Sequence, residues 1–546
     1  MSMAYTHHTQ SAPQEPKASW TPLIAIFLGQ VLMSVNVAAL PISLSGMIDS
    51  FDATPTEVST GIVTYGLVVA ALVMTGAKLG QRFGWVVVYR VVIVVFAAAT
   101  VLMFLAPTVW VMVTAQGLAG AAAAIVVPAL VALIAENYRG EQQATAVGSL
   151  GSARAGSGVT AFLLGGILGT YAGWRPVWMI LTALAVVVFV LSFKLRSDTA
   201  DRSVEIDVVG ALLIGLAIVC LTMGFNNLND WGAFLAADDA PFAILGVSPA
   251  LLLLVVGVVL GQLFFVWTRR RAALGRTPLI SLDVVGSKSE RSAVYALFVV
   301  VALEAALNFT VPLYIQVVQG NTPLATSVAM IPFNLTVFAA AMVVVRFYKR
   351  FSPRDIALVS FVLTTAALIW LAFVVTNNWE TPATIVGLII FGAGQGALVT
   401  LLFNVLVTSS PKHLAGDVGS LRGTTQNLAS AVGTALAGAM LVGVLGLVLA
   451  NTMASSSLPE SLRKEAGLDN SNFVSNDDLR GTLEKTSATP EQIDDAVRIN
   501  SDARLRALKI GFLAFAAASA LAVVPVRNLP RFDPREIPDP CPERTA

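Results

Sequence analysis

Long apolar runs alternate with short polar turns along nearly the whole chain. Ile356 to Val375 is a clear case: it holds no charge and ends in the polar turn Asn377-Asn378-Trp379-Glu380. A helix needs roughly twenty apolar residues to cross the hydrocarbon core of a bilayer. Each such run therefore predicts one spanning helix. The pattern places spans at 21–46, 58–80, 86–106, 109–136, 143–170, 175–194, 207–225, 242–267, 292–316, 324–346, 355–375, 382–408, 418–450 and 507–526. The expected fold class is an all-α membrane protein of about fourteen transmembrane helices.

The charges between the runs support that count. With the N-terminus in the cytoplasm, the inner loops hold Arg82, Arg139, Lys194, Arg269, Arg270, Arg271, Lys288, Arg346, Lys349, Arg350 and Arg354, among others. The short outer loops hold Asp49, Asp52, Asp230, Asp238, Asp239 and Glu380, with Arg175 their one basic neighbour. Inner loops of membrane proteins carry this excess of Lys and Arg. Composition agrees: 56% of the 546 residues are hydrophobic and 12% are charged, against about 25% charged in soluble domains.

The first nineteen residues are polar and the first apolar run is long enough to span, so insertion by that helix is expected rather than a cleaved signal. The net charge of +1 gives no bias toward nucleic acid. Cys220 and Cys541 fall on segments that should not meet, so no disulfide is expected. His7, His8 and His413 read as solvated, and no metal or other cofactor is expected.

The runs group as six helices, two extra helices and six helices. The expected units are a disordered cytoplasmic N-terminus (1–19), a six-helix bundle (20–196), two linker helices (197–268), a basic cytoplasmic linker (269–291), a second six-helix bundle (292–527) and a cytoplasmic tail (528–546). The long outer loop 451–506 reads as short helices. Ser457 with Glu460, and Thr489 with Pro490 and Gln492, look like capping boxes, and Gly467 is a candidate stop. A polar connector and a small extracytoplasmic cap are both open readings of it. Gly148, Gly151, Gly156 and Gly158, with Gly392, Gly394 and Gly396, mark places for close helix packing.

Several short motifs carry a family resemblance. They are SVNVAALP (Ser34 to Pro41), AKLGQRFGW (Ala77 to Trp85), Gln116-Gly117 with Pro128, LLGG (Leu163 to Gly166) and Gly173-Trp174-Arg175. In order and spacing the chain resembles the fourteen-helix drug:proton antiporter group of the major facilitator superfamily, with degenerate signature motifs. That resemblance implies a 6 + 2 + 6 major facilitator fold with both termini cytoplasmic. It also implies a monomer in the bacterial plasma (inner) membrane, with the proton as coupling ion. The cytoplasmic gate motif keeps Arg82, Phe83 and Gly84 but has Gln81 in place of an aspartate and Trp85 in place of a basic residue. Val113 stands where an arginine is usual, Ala161-Phe162 where Gly-Pro is usual, and Leu32 near the position of a first-span acid.

Ionisable residues inside a bilayer are expensive and point to function. Glu304 sits mid-span, and by the resemblance it faces the substrate path. It reads either as a proton or cation carrier or as a buried partner of Arg154. Arg154 reads as an interdomain latch or as a site for an anionic head group. Arg422 either snorkels or binds substrate with Gln426, and Lys78 is expected to snorkel. Asn36, Asn308, Asn334, Gln395 and Asn404 complete the expected pathway. Glu304 and Asn308 share a helix face at i, i+4.

No G-x-x-x-x-G-K-S/T loop is present, since Gly286-Ser287-Lys288-Ser289 lacks the spacing, and no catalytic triad is placed to work. An enzyme is not expected. Three readings remain: export of hydrophobic or amphiphilic small molecules, transport of a lipid, glycolipid or other envelope precursor, and a transport-inactive envelope scaffold.

Overall fold

The computed structural model describes residues 19–530, apart from 54, 197–199, 229–230, 238–239, 316–318, 320, 322, 349, 380, 410–413, 455–475 and 486–488. The Ser457/Glu460 box and Gly467 lie outside the described residues. The long helices are α1 (Thr21–Ile42), α3 (Pro55–Phe83), α4 (Trp85–Leu105), α5 (Val109–Asn137), α6 (Gly140–Tyr171) and α7 (Arg175–Ser192). They continue as α8 (Val208–Asn226), α9 (Pro249–Ala273), α10 (Lys288–Leu313), α11 (Pro323–Phe347), α12 (Pro353–Val374), α13 (Pro382–Ser409) and α14 (Ala415–Ala454). Short helices α2 (Leu44–Phe51) and α15 (Asn476–Leu483) precede α3 and the closing helix α16 (Pro490–Val526).

The fold is all-helical. Twelve of these helices are long and apolar enough to cross a membrane, judged over the described residues. The remaining two long ones, α6 and α14, are richer in small and polar residues: α6 opens Gly140-Glu141-Gln142-Gln143 and α14 opens Ala415-Gly416-Asp417.

Local chemistry sets the helix ends. Ser287 and Glu290 form a reciprocal capping box at the start of α10, and Ser352 caps α12 ahead of Pro353. Ser248 caps α9 with Pro249 in its first turn, so that helix begins seven residues later than the apolar run suggested. The Thr489/Gln492 box is present, but it opens α16 itself. From Pro490 onward the 451–506 segment is thus not a separate short helix: it runs unbroken into the apolar stretch of α16, while α15 is a short helix as expected.

The helices form two lobes: one buried hydrophobic cluster reaches into both, and a second lies within the later lobe. In the first lobe, α3 packs on α5, α4 on α5 and α7, and α1 on α6. In the second, α11 and α12 flank α13, while α10 packs on α14 and α12 on α16. The lobes meet where α14 lies against α3 and α5, and where α6 lies against α11 and α13. Glycines allow that approach: a Cβ on Gly151 would meet Thr400 Oγ1 at 2.8 Å, and one on Gly419 would meet the Pro128 Cα at 2.8 Å.

The extra pair, α8 and α9, packs on the seam rather than standing apart. Ile214 and Ile218 of α8 and Phe264 of α9 share a buried cluster with Ala70, Val73 and Met74 of α3 and with Leu279 and Ile280 of the following linker. Its foot is tied by polar bonds. Asp207 is 1% exposed and accepts from the Gly210 backbone N–H at 2.9 Å and from Trp267 Nε1 at 3.0 Å. Arg271 bridges Glu205 at 2.8 Å and donates to the Thr277 carbonyl at 2.9 Å. The linker is therefore fixed to the hairpin it follows.

Candidate functional site

A cavity of about 500 Å³ lies between the lobes. The first lobe lines it with Gln30, Ser34, Tyr65 and Arg154, and the second with Glu304, Asn308, Asn334, Gln426, Asn427 and Ser430, among others. Arg154 of α6 and Glu304 of α10 face each other across it. Their ion pair is 3.5 Å, with the side chains 33% and 18% exposed. One charge comes from each lobe, so the pair spans the gap that alternating access would open. Residual exposure means each partner keeps some access to water, which lowers the cost of separating them.

Three of the expected pathway residues line this cavity: Glu304, Asn308 and Asn334. Asn36 lies off its wall, donating to Gln116 Oε1 at 3.2 Å inside the first lobe. Gln395 and Asn404 are likewise off the wall and buried in α13; both amide atoms of Gln395 and the Asn404 oxygen have no hydrogen-bond partner among the described residues. Helical position alone could not separate them from Asn334, because the hydrophobic pattern of α13 is nearly uniform around its circumference.

At the Gly84 end of the bundle the lobes are bolted together. Lys78 is 3% exposed and does not snorkel. Its Nζ donates to Asp417 Oδ1 at 3.0 Å and Oδ2 at 3.2 Å. Asp417 is fully buried in the first turn of α14, where the helix N-terminus also favours an anion. Gln81 sits between them, accepting from Lys78 at 3.0 Å and donating to Asp417 Oδ1 at 2.9 Å. The Ser281 backbone N–H, from the linker, donates to Asp417 Oδ2 at 2.8 Å. The carboxylate missing at position 81 thus has a counterpart on the opposite lobe, and the amide of Gln81 suits the space between an ammonium and a carboxylate.

The other departures in the motif fit the same joint. The Trp85 ring lies over Gly80 and Gly416, where a Cβ on either glycine would strike it. An aromatic wedge replaces a basic side chain there. Gly84 has φ 89°, which lets α3 turn into α4 with a single residue between them. Arg82 donates to the Val204 carbonyl at 3.2 Å, holding the segment that leads into α8. Beneath the bolt is a second crevice of about 420 Å³, lined by Lys78, Gln81, Glu136, Asp201, Ser281 and Asp417.

Arg422 stands one turn before Gln426 on α14. It is 4% exposed, so it does not snorkel either; its guanidinium lies 3.9 Å from the centre of the Phe403 ring. The ring face attracts the cation.

Asp417 and Ser281 are the functional side of the joint that sequence reading did not pick out. Asp417 falls one residue before the expected span 418–450, among the polar residues that join two apolar runs. Its signal was an acid in the first turn of a helix, 339 residues from a lysine that had no other partner in its span.

Two helical lobes, a polar cavity at their seam and a cross-lobe bolt closing one end define a membrane transporter of the alternating-access class. The chain belongs to the Major Facilitator Superfamily, whose family signature matches residues 26–434. It is 24% identical over 450 residues to the tetracenomycin C resistance and export protein of Streptomyces glaucescens, covering 82% of this chain and 80% of that one. It is 25% identical to the drug efflux pump JefA of Mycobacterium tuberculosis, covering 82% and 85%. Among solved structures, the human organic anion transporter MFSD10 superposes with a TM-score of 0.58 over 93% of this chain and 99% of that one. Identity to it is 11%, so that likeness shows the fold alone and nothing about substrate. The protein is a multi-pass membrane protein of this superfamily.

Proposed function

We propose that the protein is a secondary transporter that exports hydrophobic or amphiphilic small molecules across the bacterial inner membrane by alternating access. The observation that carries this is the cavity shared by both lobes and bolted shut at one end by Lys78 and Asp417. In this reading α6 and α14 also cross the membrane, giving fourteen spans of the drug:proton antiporter type. The Gly84 end is the cytoplasmic one, with both termini beside it. The halves are 20–196 and 292–527, the 197–268 pair braces their seam through the 269–291 linker, and the working unit is a monomer. No enzymatic step is assigned.

The conformation is then closed to the cytoplasm. Glu304, Asn308 and Asn334 form the substrate and proton path, Arg154 is the latch across it, and Gln81, Arg82 and Gly84 serve the gate. A proton on Glu304 would release Arg154, which makes that pair the candidate coupling element. The resistance and export proteins among the relatives support the exporter reading.

A lipid or other envelope precursor is the second reading. A nearly wholly apolar groove of about 520 Å³, lined by Val343, Phe347, Phe351, Ile356 and Val359 among others, runs along α11 to α13 and would suit an acyl chain.

Dye accumulation in an efflux-deficient bacterium tests the first reading. Expression of the protein lowers accumulation, and Glu304→Gln or a protonophore abolishes the effect. A well-expressed protein that changes no dye but alters extractable envelope lipids moves the assignment to the second.

A further inference from the structure

The α8–α9 hairpin closes in a loop, 227–248, that keeps large apolar side chains on its outside. Phe234 and Leu235 are each 74% exposed, Phe242 and Ile244 each 53%, and Leu245 98%. None of the five lines the central cavity or the crevice beneath the bolt. Single apolar residues on a surface are ordinary, but a group of large ones marks a place of interaction.

Backbone bonds hold the two apolar stretches side by side. The Ala236 N–H donates to the Gly246 carbonyl and the Ser248 N–H to the Phe234 carbonyl, both at 3.0 Å. Leu235 is thereby bridged to Val247. The Ala237 N–H donates to the Trp231 carbonyl, also at 3.0 Å. Backbone groups paired in this way cost less to move out of water. At the tip, Leu245 and Gly246 both have positive φ, 55° and 79°. Glycine adopts that conformation freely, whereas a leucine is strained in it. A leucine held there with its side chain almost wholly in the open is a displayed apolar group.

Helix lengths set the depth of the loop. At the foot, Trp267 of α9 bonds to Asp207 at the start of α8, so the two helices rise from one level. α8 runs 19 residues from there. Pro249 to Thr268 of α9 is about twenty residues, or about 30 Å of helix. That is one thickness of hydrocarbon, and Arg269, Arg270 and Arg271 follow it directly. With the arginines at one boundary of the core, Pro249 stands at the other, and the loop begins where the head groups do. α9 also faces outward. Of its apolar stretch 17% is buried in the protein, the lowest share among the candidate spans of the described residues. A lipid-facing helix thus runs straight into an apolar loop. Residues 227–248 include Asp230, Asp238 and Asp239 and no Lys or Arg. Apolar insertion, not attraction to anionic head groups, is the chemistry the loop offers.

We propose that the 227–248 loop is a membrane anchor. Its five exposed apolar side chains insert into the leaflet on the side away from Gly84, down to the boundary of head groups and acyl chains. This goes beyond the transporter reading: it needs α8 and α9 to cross the bilayer and is independent of what is carried. The hairpin is then held at both ends, by Asp207, Arg271 and the linker at its foot and by lipid at its tip.

The test uses the full chain with Cys220→Ala and Cys541→Ala, reconstituted in phosphatidylcholine vesicles. Leu245→Cys carries a nitroxide. Its collisions with oxygen, which concentrates among acyl chains, are compared with its collisions with a water-soluble nickel chelate. Asn378→Cys, in the exposed turn between α12 and α13, is the water-facing control. The oxygen-to-nickel ratio at 245 should exceed that at 378 by roughly fivefold or more, and mixing in phosphatidylglycerol should leave it unchanged. A smaller ratio with free access for nickel puts the loop in water and overturns the anchor. Shielding from both reagents, with spin–spin broadening that disappears on dilution with unlabelled protein, means that a second copy covers the loop and overturns it too. Shielding without broadening means that the loop packs on its own chain, with the same consequence. A high ratio that appears only with phosphatidylglycerol overturns insertion by apolar side chains. Should Leu245→Cys fail to fold, a label on Ala243→Cys, also exposed, gives the same readings.

Discussion

Lys78 Nζ lies 3.0 Å from Asp417 Oδ1, although the two residues are 339 apart in sequence and belong to opposite lobes. Both are almost fully buried. The related motif places its acid on the α3 side of this joint; here the acid is on α14 and α3 supplies the cation.

Neutralising one partner should therefore open the joint. Asp417→Asn leaves the Lys78 ammonium buried with only neutral amide oxygens, that of Gln81 and that of the new side chain, in place of its counter-charge. Removing one partner of a buried pair costs roughly 3–5 kcal/mol, and here that cost falls on the closed state. Labelling of a Ser281→Cys probe by a membrane-impermeant thiol reagent should rise on the Gly84 side. The exchange Lys78→Asp with Asp417→Lys should bring labelling back down. Unchanged labelling in Asp417→Asn would show that the bolt does not hold the lobes.

Restoring the acid at position 81 should harm rather than help. Gln81 Nε2 donates to Asp417 Oδ1 at 2.9 Å. In Gln81→Asp that donor is lost and two carboxylates compete for one ammonium. The repulsion is strong in a water-poor setting. Transport should fall several-fold at equal membrane abundance, and Gln81→Asp with Asp417→Asn should recover much of it. Higher activity in the single variant would mean that residue 81 acts independently of Asp417.

Much of the fold was legible because its signals are collective. Each of the twelve candidate spans among the described residues is an apolar run of about twenty residues. The pairing of Arg154 with Glu304 was within reach for a related reason: each is a lone mid-span charge that needs an opposite one. Asp417 was not within reach, because a single acid at a helix boundary reads as a loop residue. Nor could the sequence separate Asn334, which lines the cavity, from Gln395, which is buried in α13. That difference depends on how α11 and α13 are rotated, and their packing through Gly392 and Gly396 fixes it. In the 451–506 segment α15 is a short helix as expected, whereas the residues from Pro490 on belong to α16, which continues as helix beyond its apolar stretch.

The foot of the α8–α9 hairpin gives a stability prediction. Trp267 Nε1 donates to both oxygens of Asp207, at 3.0 and 3.1 Å. Hydrogen bonds to a charged group contribute about 1.5–3 kcal/mol. Trp267→Phe keeps most of the ring volume and removes only the donor. Its thermal unfolding midpoint should drop by a few degrees while the cavity residues are untouched. A larger drop is expected for Asp207→Ala, which also uncaps α8. If Asp207→Ala unfolds at the wild-type temperature, the clamp does not brace the seam.

The two cross-lobe ion pairs differ in a way that suits different work. Lys78–Asp417 is sealed from water, whereas Arg154 and Glu304 are 33% and 18% exposed and stand 3.5 Å apart. A half-solvated pair is weaker and easier to part, as a contact must be if it breaks in every cycle. Arg154→Glu would set two carboxylates facing each other across the cavity, repelling the lobes in the state where they should meet. It should abolish transport and lower the yield of folded protein. Arg422→Gln removes a charge that has no acid partner among the described residues, so it should fold in near-normal amounts and still move an uncharged probe. Arg154→Glu combined with Glu304→Arg should restore folded yield, because the attraction returns with its ends exchanged. The measurements are membrane abundance by quantitative immunoblot and transport of the uncharged probe, taken for all three proteins together. Equal abundance and equal transport in Arg154→Glu and Arg422→Gln would mean the pair neither latches the lobes nor lies on the path between them.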